Sequence, residues 1–164
     1  MRAASFSCFK KASASLTEHR LAKAEPYRAQ VPVRFADCDP AGIVFYPRYL
    51  EIFNNLVEDW FAEELHFSFP DIINAHGWGL PTVHLEVDFV APSRFGEVLS
   101  ATLLARKVGT TSLSLDILLQ GPGPTGTDRV RGKVVVVLID RKMNRAIALP
   151  DDLRARISAF ETGE

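Results

Sequence analysis

The spacing of apolar positions along the chain first identifies one long helix. From residue 47 to residue 65, apolar side chains recur three or four positions apart, the repeat that places them on one face of an α-helix. Pro47 suits the first turn of such a helix, because its missing N–H would have no partner there. The pattern therefore predicts a helix over 47–65 with a wide apolar stripe made of Tyr49, Leu50, Phe53, Leu56, Val57, Trp60, Phe61 and Leu65.

A shorter period, of two residues, marks the strands. Residues 80–92 alternate between apolar and polar side chains, as in a strand with one face on the core. Pro32 lies within the first predicted strand and favours an edge of the sheet or an early strand position, since proline has no N–H for a strand ladder. The five predicted strands span residues 29–37, 80–92, 98–108, 111–120 and 129–140.

The order of the elements predicts the fold class. One strand is followed by the long helix, a loop over 66–79 with one helical turn, four consecutive strands and a short closing helix over 150–160. A Gly-Thr step at 109–110 predicts a hairpin between two of these strands. A run of antiparallel strands can bury one long apolar helix by wrapping around it. We therefore expect an α+β domain over residues 29–164, with a five-stranded antiparallel sheet around one long central helix.

Composition places the chain among ordinary globular proteins. It has 164 residues, 47% of them hydrophobic and 24% charged, with a formal net charge of −1, and these values fit a single domain. The near-neutral charge does not favour a nucleic-acid partner. Cys8 and Cys38 are too few and too far apart for a disulfide framework or a zinc site. No apolar stretch approaches the roughly 18 residues of a membrane span, so we expect a cytoplasmic protein with no metal and no membrane partner.

The first 28 residues differ from the rest of the chain. They contain six basic and two acidic residues and are rich in Ser and Ala. Such a composition is found in transit peptides, whereas the apolar run is too broken for a secretory signal. We interpret residues 1–28 as a flexible or loosely docked N-terminal extension, with a targeting segment as the alternative.

The stretch ADCDPAGIVFYPRY, residues 36–49, combines a carboxylate with the start of a helix. Asp39 follows the first predicted strand and precedes the helix that begins near Pro47. Backbone N–H groups at a helix N-terminus are unpaired and stabilise negative charge. A carboxylate beside such a terminus can act as a nucleophile or a base next to groups that polarise a carbonyl, which suits acyl transfer or hydrolysis.

A plain β-turn explains the same residues. Asp39, Pro40 and Gly42 occupy positions that β-turns favour for these residue types. Taken alone, the stretch favours a turn without catalysis, since short motifs are often matched by chance.

A longer part of the sequence resembles a known family. The segment RFADCDPAGIVFYPRYLEIFN is similar to the signature of the 4-hydroxybenzoyl-CoA thioesterase family, in its Pseudomonas-type branch, and a weaker likeness continues through GLPTVHLEVDFVAPSRFGE. The resemblance covers about residues 30–155. It implies a hotdog fold, hydrolysis of an acyl-CoA thioester, and active sites between the subunits of a homodimer or homotetramer. It implies no cofactor, because coenzyme A is part of the substrate.

The resemblance also implies roles for particular residues. Asp39 matches the family's catalytic aspartate, which attacks the thioester carbonyl or activates water to do so. The Tyr46 N–H would polarise that carbonyl, aided by the loop at Gly42. Two further groups of residues are expected to bind the substrate. Phe45, Asn54, Pro81 and Thr82 are expected at the acyl group, and Arg106, Lys107, Thr111 and Ser112 at CoA.

Asn54 departs from the family pattern. The hydroxybenzoyl-specific enzymes carry an aspartate fifteen residues after the catalytic one, and this chain has Asn54 there. An amide can hydrogen-bond a hydroxyl but offers no charge to a phenol proton. The acyl group is therefore left open between an aromatic group and a short-to-medium acyl chain.

Three alternatives to this assignment follow from the residues. A non-catalytic protein that binds acyl-CoA or an acyl-carrier protein in the same cleft would share the motif. Hotdog proteins with hydratase or dehydratase activity usually place a histidine near the helix. No histidine lies between Ala36 and Leu65, so this activity is disfavoured. Glu58 is a fallback nucleophile, because another branch of hotdog proteins uses a glutamate on this helix.

Overall fold

The computed structural model describes residues 25–123 and 126–161, so most of the extension predicted over 1–28 lies outside the described residues. Within these residues no helix combines the length and the apolar surface needed to cross a lipid bilayer, and the cytoplasmic location stays a prediction. The helices are α1 (Tyr46–Glu63) and α2 (Asp151–Ser158). The strands are β1 (Tyr27–Pro32), β2 (Trp78–Gly79), β3 (Thr82–Phe89), β4 (Val98–Val108), β5 (Ser112–Gln120), β6 (Asp128–Val137), β7 (Ile139–Asp140) and β8 (Arg145–Ala146).

Five of the strands form one antiparallel sheet in the order β1-β4-β5-β6-β3. β1 and β3 are its edges, and Pro32 occupies the last position of β1, where it faces Val98. Of the two placements predicted for this proline, the edge of the sheet is confirmed and the early strand position is wrong. The predicted architecture, an α+β domain with five antiparallel strands packed on one long helix, is confirmed as well.

The core lies between this sheet and α1. Alternate residues of β4 and β5 are buried, as the two-residue period of a strand requires. Trp60 and Phe61 of α1 are fully buried against them. α2 closes one end of the core with Leu153 and Ile157, and the Phe160 ring packs edge-on against Trp60 with centroids 5.7 Å apart.

The first strand ends earlier than predicted. β1 stops at Pro32 instead of residue 37, and Phe35–Asp37 form a 3-10 turn. The Arg34 N–H donates to the Asp37 carboxylate at 2.7 Å, and the Asp37 N–H donates to the Arg34 carbonyl at 3.0 Å. These local bonds replace the strand ladder, a competition that aspartate side chains commonly win.

Two other predicted segments end in a second, small sheet. The strand predicted over 129–140 ends at Val137, and β7 instead pairs with β2 and β8 in a three-stranded sheet. The loop predicted over 66–79 contains a π-helical turn at Asp71–Ala75 and ends in β2. The sequence does not separate β6 from β7, because one β-branched run continues through both.

The two ends of the five-stranded sheet have different surroundings. At one end Pro32 pairs with Val98 and Phe89 pairs with Val130; we call it the Asp39 end, since the chain passes from β1 to Asp39 there. The opposite end holds the β4–β5 turn, and we call it the hairpin end. β4 joins the two ends with 11 residues, which span roughly 35 Å at 3.3 Å per residue.

Candidate active site

Asp39 lies in a short hairpin that leads directly into α1. Its N–H donates to the Ile43 carbonyl at 2.9 Å, and the Phe45 N–H donates to the Asp37 carbonyl at 2.9 Å. The turn closes with a bond from the Gly42 N–H to the Asp39 carbonyl at 2.9 Å, and Gly42 has a φ of 76°, which glycine adopts without steric cost. Ile43 is three residues before the start of α1, within about 10 Å along the chain. The hairpin thus holds Asp39 close to that helix end.

The Asp39 side chain is half-buried and bonds to its own turn. Oδ1 accepts the Ala41 N–H at 2.9 Å. Among the hydrogen bonds formed by the described residues, Oδ2 takes part in none. One oxygen therefore orients the carboxylate while the other is available to a reacting group. The turn and a catalytic role are compatible in this geometry.

The N-terminus of α1 presents one N–H, that of Tyr46, without a partner among the described residues, because Pro47 has no N–H and the Arg48 N–H donates to the Phe45 carbonyl at 2.9 Å. Phe45 precedes the helix in an extended conformation, and in the described part of the chain no side chain caps this end. Tyr46 is the first helical residue, so its N–H has no partner within the helix, and the first turn contains no acidic residue. The partial positive charge of this turn favours an anion or a developing oxyanion.

Aromatic rings surround this helix end. The Tyr46 ring contacts Phe45 and Phe89 with centroids 5.3 and 6.2 Å apart, and Phe89 contacts Tyr49 at 5.9 Å. Phe45, Tyr46 and Phe89 are each about half exposed. They form an apolar rim that can pack against a flat or aliphatic group.

A cavity of 180 Å³ lies between α1 and the β3 edge of the sheet. Asn54 and Thr82, both predicted at the acyl group, line it together. Asn54 is eight residues beyond Tyr46, about 12 Å along the helix axis. Pro81 is adjacent in sequence, and its carbonyl accepts a backbone N–H of the neighbouring strand. The other lining side chains are apolar: Leu50, Phe53, Val57, Phe69, Leu80, Leu85, Val134 and Val136.

The residues predicted to bind CoA lie at or near the hairpin end. The Arg106 Nε donates to Asp116 Oδ2 at 2.7 Å, and Lys107 is exposed beside it. At the β4–β5 turn the Ser112 carbonyl accepts the Gly109 N–H at 2.8 Å, and the Thr111 carbonyl accepts the N–H of Leu138, just after β6, at 2.9 Å. Within one chain, these residues and the Asp39 end are therefore separated by most of the length of β4.

Sequence reasoning missed the loop over residues 92–97, which contacts the Asp39 hairpin. The Ser93 carbonyl accepts the Val44 N–H at 3.0 Å, and the Ser93 N–H donates to the Tyr49 hydroxyl at 3.2 Å. Ser93 is fully buried. The stretch APSRFGE resembles an ordinary polar connection, so no local pattern identifies this role.

The ionisable groups further along α1 are distant from its N-terminus. Glu58 is twelve residues beyond Tyr46, about 18 Å along the axis. The Tyr27 hydroxyl donates to Glu63 at 2.8 Å, and burial together with this bond raises the pKa of Tyr27. Loss of hydration and the nearby Glu63 raise the pKa of Asp59. Among the described residues, no three His, Cys, Asp or Glu side chains are grouped so as to hold a metal ion.

Comparisons with known sequences identify relatives of this chain. The family model described as the thioesterase-like superfamily matches residues 33–157, more than half of the chain. A 1,4-dihydroxy-2-naphthoyl-CoA hydrolase from Synechocystis is 37% identical over 71 residues, which are 43% of this chain and 51% of the relative. A protein of the same name from Gloeothece citriformis is 26% identical over 132 residues, which are 80% of this chain and 92% of the relative.

A solved structure agrees with these relatives. The crystal structure of a 1,4-dihydroxy-2-naphthoyl-CoA thioesterase from Synechocystis has a TM-score of 0.75 at 25% identity, and the match covers 81% of this chain and 96% of that chain. The predicted hotdog fold and the predicted thioesterase class are confirmed, although the relatives' names do not single out the 4-hydroxybenzoyl-CoA branch. The chain therefore belongs to the thioesterase-like superfamily.

Proposed function

We propose that this protein hydrolyses the thioester bond of an aromatic acyl-CoA at a site formed by Asp39 and the N-terminal turn of α1. The observation that carries the proposal is the hairpin, whose paired residues hold the Asp39 carboxylate next to that turn. Acyl transfer from a thioester requires a nucleophile or base beside groups that stabilise an oxyanion. Asp39 and the Tyr46 N–H supply these two functions.

Two chemical routes use the same groups. In the first, an Asp39 oxygen attacks the carbonyl carbon, the C–S bond breaks, CoA leaves as a thiolate, and water then hydrolyses the acyl-aspartate anhydride. In the second, Asp39 takes a proton from water as the water oxygen attacks the carbonyl, and the same C–S bond breaks. In both, negative charge develops on the carbonyl oxygen near the Tyr46 N–H and the dipole of α1. The thiolate needs little protonation to leave, because thiol pKa values lie near about 8.5.

The cavity between α1 and β3 supports an aromatic acyl group. An apolar cavity of about 150 Å³ binds benzene in another protein, so 180 Å³ accommodates one aromatic ring. The relatives are named for a dihydroxynaphthoyl ester, which carries hydroxyl groups on fused rings. The Asn54 amide can donate to or accept from such a hydroxyl. We therefore rank hydroxylated aromatic esters above short-to-medium aliphatic ones.

Thiol release from a panel of CoA esters tests this function. Benzoyl, 4-hydroxybenzoyl, 1,4-dihydroxy-2-naphthoyl and butyryl esters are compared by kcat/KM, and the aromatic esters are expected to exceed butyryl-CoA. Saturable binding of the esters with no thiol released from any of them would favour the non-catalytic acyl-CoA binder instead. A preference for butyryl-CoA would contradict the aromatic assignment.

Asn54→Asp is expected to raise the preference for 4-hydroxybenzoyl-CoA over benzoyl-CoA by about tenfold, because a charged acceptor binds a phenol hydroxyl more strongly than an amide does. Turnover of butyryl-CoA should stay nearly unchanged, since that ester has no ring hydroxyl. Asn55→Asp is the matched control, as Asn55 is the next residue on α1 and does not line the cavity. Equal changes in kcat/KM for all three esters would show that Asn54 does not contact the ring.

We also propose a homodimer in which two β3 edges pair. β3 is an eight-residue edge strand, and Val83, Leu85 and Phe89 on it are exposed; an apolar edge of this kind is a template for another strand. A two-fold axis perpendicular to the sheet pairs the strands antiparallel and sets the hairpin end of one copy beside the Asp39 end of the other. The predicted CoA residues of one subunit would then lie at the same end of the joined sheet as Asp39 of the other. Pairing of two such dimers would give the homotetramer that the resemblance implies.

Leu85→Lys is expected to convert this dimer into a monomer, because it places a cation on the apolar edge at the two-fold seam. Molecular mass from light scattering or analytical ultracentrifugation is the readout. Turnover would not serve, because Leu85 also lines the cavity and a fall in turnover could reflect either loss of the dimer or a changed cavity. Met143→Lys changes another exposed apolar residue, in the β7–β8 turn, and should leave the mass unchanged. A monomeric wild-type protein, or a dimeric Leu85→Lys variant, would contradict pairing through β3.

A further inference from the structure

Arg129, near the start of β6, contacts the loop over residues 92–97 at two points. Its Nη1 donates to the Pro92 carbonyl at 2.9 Å, and its Nη2 donates to Glu97 Oε1 at 3.1 Å. The side chains of Arg129 and Glu97 keep only 18% and 21% of their surface exposed. A planar guanidinium held by two bonds in different directions keeps one orientation. The loop is therefore fixed relative to the five-stranded sheet.

Glu97 closes the loop on itself and on the end of β1. Its Oε2 accepts the Arg94 N–H at 3.1 Å, and its backbone N–H donates to the Arg94 carbonyl at 3.1 Å. The Glu97 carbonyl accepts the Val33 N–H at 2.8 Å, and the Gly96 N–H donates to the Val33 carbonyl at 3.1 Å. Both oxygens of the Glu97 carboxylate are thus engaged, one by Arg129 and one by the loop backbone.

The loop in turn contacts both parts of the candidate site. Ser93 bonds to Val44 in the Asp39 hairpin and to the Tyr49 hydroxyl in the first turns of α1. Val44 is bonded in sequence to Ile43, whose carbonyl accepts the Asp39 N–H. Hydrogen bonds, joined by single steps along the backbone, therefore lead from β6 through the loop to the Asp39 backbone and to the Tyr49 hydroxyl.

We propose that Arg129 and Glu97 are positioning residues for the thioesterase reaction, which act through the 92–97 loop to set Asp39 relative to the N-terminus of α1. The inference rests on the proposed function of Asp39. The contacts that this ion pair makes are to the loop and not to the hairpin itself, so its effect on Asp39 passes through the loop, by the bonds of Ser93 and by the bridge between Arg94 and Ile43. Partly buried ion pairs are weak evidence of stabilisation, because desolvation offsets the attraction. A displacement of about 1 Å at a catalytic group, in contrast, can lower the rate by about a hundredfold.

Arg129→Met is expected to lower kcat by about ten- to a hundredfold with a much smaller change in KM, since the carboxylate is misplaced while the substrate pocket is kept. Arg129→Lys should recover part of the loss, because an ammonium can bond one of the two partners but lacks the fork that reaches both. Arg131→Met is the matched control. Arg131 lies two residues further along β6, and its ion pair with Asp128 is made by an exposed guanidinium, so this change should leave kcat unaltered.

A double-mutant cycle with Asp39→Asn separates positioning from general loss of structure. If Arg129 acts through Asp39, Arg129→Met scarcely lowers the residual turnover of the Asp39→Asn protein. Thermal unfolding of each variant shows that the compared proteins are folded. Should Arg129→Met fail to fold, Glu97→Gln replaces it, because the amide keeps the size of the side chain and removes its charge.

Two results would overturn the positioning role. One is an equal fall in turnover in the wild-type and Asp39→Asn backgrounds, and the other is a lower unfolding temperature with kcat unchanged; both leave the function of Asp39 intact. If Asp39→Asn itself keeps full turnover, the proposed function of Asp39 fails, and the inference fails with it. The single Asp39 variant therefore tells the two failures apart.

Discussion

Asp39→Asn is expected to lower kcat by about 10²–10⁴-fold for every ester that the wild-type protein hydrolyses. The change removes the negative charge that either attacks the carbonyl or takes a proton from water, and a neutral amide does neither. The amide oxygen can still accept the Ala41 N–H, so the bond that now holds Oδ1 is kept and the turn should persist. KM should change little, because Asp39 is not among the residues proposed to hold the ring or CoA.

Thiol release at saturating substrate measures this effect, with circular dichroism and thermal unfolding to compare the folds. Asp37→Asn is a matched control: it removes the same charge two residues earlier, at a carboxylate whose hydrogen bond is to the Arg34 N–H. We expect that variant to keep kcat within a fewfold of wild type. Undiminished turnover in a folded Asp39→Asn protein would exclude Asp39 from the reaction. Equal losses in the two variants would assign the effect to the charge of the hairpin instead of to one carboxylate.

Features set by local chemistry could be predicted from the sequence. α1 begins and ends within two residues of its predicted limits, because its burial follows the helical repeat. The turn after Asp39 could also be predicted, since Asp, Pro and Gly favour it through their own backbone preferences and side-chain bonds. The strand predicted to residue 37 was wrong beyond Pro32, since the Asp37 side chain binds the backbone at Arg34. The same bonding propensity of aspartate thus decided both a correct prediction and a wrong one.

Features set by distant packing could not be predicted from local pattern. The 92–97 loop contacts the hairpin through the backbone of Ser93, and backbone contacts leave no mark on residue type. Asn54 and Thr82 meet in one cavity although 28 positions separate them, and spacing along the chain does not reveal that contact. The family resemblance grouped Asp39 with Arg106, whereas one chain holds them near opposite ends of the sheet. A linear motif does not say which copy of the chain supplies each part of a site.

Gly132→Ala is expected to lower the free energy of unfolding by about 1–3 kcal/mol, the usual cost of adding atoms to a well-packed interior. Gly132 lies in the middle of β6 and is buried. The Phe53 ring of α1 packs directly on it, and a Cβ at this position would overlap the ring atoms Cε2 and Cζ. Glycine in a strand interior commonly marks such a close approach.

The same substitution should change specificity, because Phe53 also lines the 180 Å³ cavity and a displaced ring would alter its volume. We expect the ratio of kcat/KM for aromatic esters to that for butyryl-CoA to fall about tenfold, the size of effect that one methylene has in an apolar pocket. Denaturant unfolding measures the stability cost, and the ester panel measures the ratio. Phe53→Leu in the Gly132→Ala background removes the overlapping ring atoms and should restore much of the stability and much of the ratio. Equal losses for all esters would mean that β6 moves instead of the ring, or that the acyl group binds outside this cavity.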